Sequence, residues 1–130
     1  MEITITKIEV IENKKIVHFK SNLGDGFGEW KSQSEPQVLG SYFIEFNIED
    51  ELVWLENINL SDNKEMLIQY ANDDALILQG FIESLEDNGE RCFMRLDIDL
   101  LVFSCFSMPN DLRDYVKITA RKVGIYDINL

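Results

Sequence analysis

The chain has 130 residues, 45% of them hydrophobic and 28% charged, with a formal net charge of −12 at pH 7. That length suits one domain able to bury a core without disulfide or metal staples, and the composition excludes an intrinsically disordered chain. The longest apolar-leaning run, residues 96–108, is too short to span a bilayer as a helix and contains Asp97 and Asp99.

The opening Met1-Glu2-Ile3-Thr4-Ile5-Thr6 lacks the basic start and continuous apolar region of a secretory signal. It reads as a first strand, and the expectation is a cytosolic protein without a membrane partner. Ile3, Ile5, Ile8 and Val10 alternate with polar residues except for a slip near Lys7, which predicts a bulged strand. A second strand covers Ile16 to Phe19, after a turn at Glu12-Asn13-Lys14. Turn signals make Leu23-Gly24-Asp25-Gly26-Phe27-Gly28 and the polar stretch up to Pro36 a loop.

Tyr42, Ile44, Phe46 and Ile48 alternate with Phe43, Glu45 and Asn47, the clearest period of two in the chain. Further strands are predicted over Glu51–Ile58, Met66–Tyr70 and Ala75–Leu85, with Asn72-Asp73-Asp74 turning between the last two. Glu86-Asp87-Asn88-Gly89 should join the Ala75–Leu85 strand to a long strand over Arg91–Phe103, because Asn-Gly readily takes the positive φ angles of a type I′ turn. Met108-Pro109-Asn110-Asp111 starts a turn, and a last strand runs Tyr115–Tyr126, interrupted at Gly124. Short strands spaced by turns, without a strong long helix, predict a mostly β single domain over residues 1–130. It should be an antiparallel barrel or sandwich with at most one or two short helices. A five-stranded barrel of the oligonucleotide-binding type with extra hairpins is one version.

Candidate chemistry is sparse. His18 is the only histidine, so neither a histidine-centred relay nor a multi-histidine metal site is expected, and between Val17 and Phe19 in a strand it reads as a structural or surface residue. The Gly24–Gly28 stretch lacks the Lys-Ser/Thr ending of a phosphate-binding loop and the helix that would follow it. Asp97 and Asp99, two apart in a predicted strand, would face one side; a solvated strand face explains them as well as acid/base or metal chemistry does. Cys92 and Cys105 read as reduced, buried, apolar residues. The expectation is a protein with no catalytic residues, no cofactor and no metal site.

Charge carries more information. Residues 1–31 hold five basic and five acidic side chains, and residues 91–130 hold six and five. Residues 32–90 hold fourteen acidic side chains and one basic, Lys64, so the middle segment accounts for the net charge. Like charges crowded on neighbouring strands oppose folding, and a field of one sign steers an oppositely charged partner. The same field disfavours phosphate, so nucleic acid is not an expected partner even though Trp30, Tyr42, Phe43, Trp54 and Tyr70 could stack bases.

The segments Gly40-Ser41-Tyr42-Phe43-Ile44-Glu45-Phe46-Asn47-Ile48, Val53-Trp54-Leu55-Glu56-Asn57-Ile58, Tyr115-Val116-Lys117-Ile118 and Ile125-Tyr126-Asp127 resemble small bacterial immunity proteins of polymorphic or contact-dependent toxin systems. The resemblance spans about half the chain and carries no defined contact residues. It implies a cytosolic, non-enzymatic inhibitor of one cognate toxin, often a basic nuclease. The alternatives are a small-ligand or lipid-binding barrel with Trp30, Trp54 and the phenylalanines lining a pocket, and an enzyme using Asp97, Asp99 or the Gly24–Gly28 loop. Under the first reading the partner-binding carboxylates are Glu45, Glu49, Asp50, Glu51, Asp73 and Asp74. Glu45 lies on the polar face of the clearest strand and the others lie in turns, where side chains should be free to reach a partner. Lys14 and Lys122 are expected to matter little.

Overall fold

The computed structural model describes residues 1–72 and 74–128. Five strands close a barrel: β1 (Glu2–Ile11), β2 (Lys14–Ser21), β3 (Gly24–Trp30), β4 (Ser41–Ile48) and, from the end of the chain, β13 (Val123–Asp127), in the order β1-β2-β3-β13-β4. Neighbours are antiparallel except β3 and β13, which are parallel. The intervening chain supplies β5 (Leu52–Val53), β6 (Ile58–Leu60), β7 (Leu67–Asn72), β8 (Ala75–Glu86), β9 (Arg91–Leu96), β10 (Asp99–Phe103), β11 (Cys105–Phe106) and β12 (Tyr115–Ala120). These build a sheet ordered β10-β9-β8-β12-β6, with β7 also on β8, and a small parallel β5–β11 ladder. The fold is the expected one, a mostly β single domain containing a barrel.

Alternation places the core. Ile3 and Ile5 of β1, Val17 and Phe19 of β2 and Ile44 of β4 are buried, while Phe43, Glu45 and Asn47 point out. The predicted bulge in β1 falls between Ile5 and Lys7. One hydrophobic cluster joins these barrel residues to Leu76, Leu78, Ile82, Met94 and Ile118 of the sheet.

Five segments depart from the sequence reading. The glycine-rich stretch is strand β3, not a loop, because Gly24 and Gly26 sit where the barrel meets the sheet and Gly28 packs closely on Ile125 of β13. A Cβ on Gly26 would lie 2.8 Å from both Phe19 Cζ and Leu76 Cδ1. Gly24, at φ 130°, lies so close to Ile68 that a Cβ would drive into the Ile68 carbonyl oxygen, and Ile68 N–H donates to Leu23 C=O at 2.9 Å. The predicted Glu51–Ile58 strand is broken by Leu55 at φ 73° and leaves the short β5 and β6.

The predicted Arg91–Phe103 strand folds back at Asp97 and Ile98 into the β9–β10 hairpin. Its reversal uses Asp97 at φ 61°, a conformation that aspartate tolerates better than most residues. The β8–β9 connection carries positive φ at Asp87, Asn88 and Gly89, one residue more than the type I′ turn predicted from Asn-Gly alone. The predicted Tyr115–Tyr126 strand breaks at Arg121-Lys122, not at Gly124, so that β12 joins the sheet and β13 joins the barrel.

Candidate functional site

The six carboxylates singled out by sequence do not form one free surface. Asp50 accepts the backbone N–H of Arg121 on Oδ2 and that of Lys122 on Oδ1, both at 2.8 Å, and so caps the β12–β13 turn. Asp74 takes the Arg121 guanidinium, and its N–H bonds to Asn72 Oδ1 at 3.0 Å. Glu49 lies 3.2 Å from Lys31 Nζ, which also lies 3.3 Å from Glu29; these carboxylates raise the lysine pKa, Glu49 most. The turns therefore do not leave Asp50 and Asp74 free: basic residues from the near-neutral flanks fold over this part of the acidic middle. Lys122 belongs to the same turn, so it is no remote control. Glu45 and Glu51 are exposed and have no ion pair among the described residues. Asp73 lies outside the described residues.

Glu45 borders a cleft of about 330 Å³ between β4 and β10, whose lining includes Ile44, Phe46, Leu100, Val102, Glu45 and Asp99. The N-terminal amine of Met1 sits at one end on Asp99 and, at 3.3 Å, on the Ile44 carbonyl. A second hollow reaches from Val102 to Asn47, Asp50, Glu90 and Arg91. Beyond it, β5 and β11 pair through Leu52 with Cys105 and Val53 with Phe106, so the two strands flanking the cleft are zipped at this end. The sequence signal for the cleft is the uncharged run from Leu100 to Met108, which supplies the exposed edge strand β10.

His18 stands in a hydrogen-bonded chain, a structural role of the kind its place in a strand suggests. Its Nε2 is 2.6 Å from Glu9 Oε1 and its Nδ1 is 2.7 Å from the Tyr70 hydroxyl. That hydroxyl donates to Gly26 C=O at 3.1 Å, and the His18, Phe27 and Tyr70 rings stack with centroids 5.4–6.0 Å apart. The hydrogen bond from His18 lowers the Glu9 pKa, with Lys7 adding to it. Burial, then Asp25 and Glu9, raise that of Tyr70. The chain ties β1, β2, β3 and β7 together. Lone His18 could bridge them because Glu9 comes from the neighbouring strand of the β1–β2 hairpin and Tyr70, 52 positions away, converges on it in the fold.

The other chemical candidates disperse. Asp97 lies in the β9–β10 turn and Asp99 holds the Met1 amine, so they are not paired carboxylates on one strand face. Trp30 is buried edge-on against Tyr42, with its indole N–H on Ser34 C=O at 2.7 Å, and the cleft lining contains neither Trp30 nor Trp54. Cys92 and Cys105 are free and buried. Burial, with Cys105 nearby, pushes the Cys92 thiol up to about 12, and burial raises Cys105 as well. Among the described residues no cluster of His, Cys, Asp or Glu could hold a metal ion, and no helix is long and apolar enough to cross a membrane.

Compared with protein-family models, curated proteins and solved structures, the chain has no match.

Proposed function

We propose that this protein is a non-enzymatic binder of a basic partner protein, and that it neutralises a toxin domain, such as a nuclease, in the manner of the immunity proteins it resembles. One observation carries the reading: the acidic middle segment is only partly balanced within the fold. Glu35, Glu49, Asp74, Glu83 and Glu86 have cationic partners, whereas Glu45, Glu51, Glu56, Asp62, Glu65 and Glu90 have none among the described residues. A surface of one sign accelerates encounter with a cation-rich partner by about 10- to 1,000-fold, and salt screens the effect over about 8 Å at physiological ionic strength. Glu45 and Glu51 are the contacts best placed for this role, because reversing them disturbs no internal ion pair.

The test is capture from cells of the source organism on the immobilised protein at low salt, followed by assay of the captured protein. A basic protein that elutes as salt rises, and whose toxic activity is blocked by one equivalent of this chain, supports the reading. Capture of a salt-insensitive acidic or neutral protein contradicts it.

A further inference from the structure

The outward face of β4 sets aromatic rings among carboxylates. Alternation turns Phe43, Glu45 and Asn47 out of the barrel, and Phe43 is 44% exposed. On β13, Tyr126 stands directly opposite Glu45 and is 39% exposed. This pairing runs on past Asp127, since the Ile128 N–H donates to Phe43 C=O at 3.0 Å. On the other side of β4, exposed Glu2 of β1 stands opposite Phe43. Opposed residues of an antiparallel pair hold their Cβ atoms about 4.5–5.5 Å apart, and residues two apart on one strand are separated by about 7 Å. Glu45 therefore lies between two rings, Tyr126 across the ladder and Phe43 along the strand, and Glu2 flanks Phe43.

Neither Glu2 nor Glu45 has a cationic partner among the described residues. Lys31 comes up beside Tyr126: a Cβ on Gly124 would lie 3.3 Å from Lys31 Cγ and 3.5 Å from Tyr126 Cε2. Its ammonium is held elsewhere, 3.2 Å from Glu49 and 3.3 Å from Glu29. The chain builds the complete form of such an arrangement on β9. There Arg91 stands opposite Glu86, 3.6 Å from its carboxylate, and its guanidinium lies 5.4 Å from the centroid of the Phe93 ring, two residues along. On β4 the rings and the carboxylate recur, and the chain supplies no cation to them among the described residues.

We infer that Phe43, Glu45 and Tyr126 form a binding site for an arginine side chain of the basic partner, with the guanidinium bonded to Glu45 and lodged between the two rings. The inference rests on the proposed binding of a basic protein and names the contact that anchors it. A guanidinium suits the site better than an ammonium. It is flat and weakly hydrated, so it stacks on a ring while still presenting two parallel N–H donors to a carboxylate. Tyrosine and arginine are also the side chains that most often dominate the energy of a protein interface. A second copy of the chain fits this face poorly, since it would bring another net charge of −12 against Glu2 and Glu45.

The test titrates the isotope-labelled full chain with an acetylated hexa-arginine peptide and follows the complex by NMR. The account predicts NOE contacts from arginine δ-methylene protons to the Phe43 and Tyr126 rings, and weaker binding of a hexalysine peptide of equal charge. Phe43→Leu and Tyr126→Leu should each weaken hexa-arginine by about two- to fivefold, and Glu45→Gln by about twofold or more. All three chains should keep a thermal midpoint near that of the parent, because the sites are exposed. Absence of the NOE contacts, equal affinity for hexalysine, or binding unchanged by both ring substitutions in folded chains overturns the inference. If hexa-arginine binding still weakens with salt and on Glu51→Lys in that case, the acidic-binder reading survives; if the parent does not bind hexa-arginine at all, both fail. Self-association of the parent, abolished by Tyr126→Leu, would make a second copy the occupant and also overturn it.

Discussion

Asp50 reaches across 71 positions of sequence to cap the turn at Arg121, accepting its backbone N–H at 2.8 Å. With Lys122 N–H on the other carboxylate oxygen, one side chain fixes the point where the chain leaves the sheet and completes the barrel. Asp50→Ala should therefore cost about 1–2 kcal/mol of stability, measured by urea denaturation. A change within a few tenths of a kcal/mol would show that the turn holds without its cap.

The glycine-rich segment makes a second prediction. Gly24→Ala places a methyl group against the Ile68 carbonyl at a φ of 130° that L residues rarely adopt. The substitution should cost about 3 kcal/mol or more, or prevent folding. A folded variant as stable as the parent would contradict the close approach of β3 to β7.

Sequence patterning revealed the fold class, the bulge in β1 and the two faces of β4, because one-sided burial imposes a period of two on residues such as Ile3, Ile5 and Ile44. It misread Gly24–Gly28 because a glycine chosen for close packing looks like a glycine chosen for a turn. It also left Asp50 and Asp74 among the free carboxylates, since pairing with Arg121 is a long-range contact that no local pattern encodes. The uncharged run from Leu100 to Met108 marks an apolar strand, but that this strand is a sheet edge bordering a cleft becomes visible only after every neighbouring strand has been placed.

Glu9 provides a pH test. Its folded pKa is lowered from 4.5, first by the hydrogen bond to His18 and then by Lys7. A carboxylate depressed by folding contributes stability that is present above its unfolded pKa and is lost as pH falls through its folded value. The stability difference between the parent and Glu9→Gln should thus be fully present at neutral pH and shrink as pH drops below about 4.5. Denaturant midpoints of both proteins between neutral pH and pH 3 measure it. A pH-independent difference would contradict the coupling.

The thiols of Cys92 and Cys105 should be inert in the folded protein, since burial disfavours the reactive thiolate of each and holds Cys92 at about 12. A colorimetric thiol reagent should find almost no reaction in native protein at pH 8, then two thiols per chain in denaturant. Rapid native labelling would place these side chains at the surface.

The central claim, that unbalanced carboxylates of the middle segment hold a basic partner, is tested most directly by association kinetics with the captured partner as salt is raised. The parent rate should fall steeply with salt. Glu45→Lys and Glu51→Lys should each slow association at low salt, converge on the parent at high salt, and leave thermal stability unchanged. Association that ignores both salt and these two reversals would contradict the account.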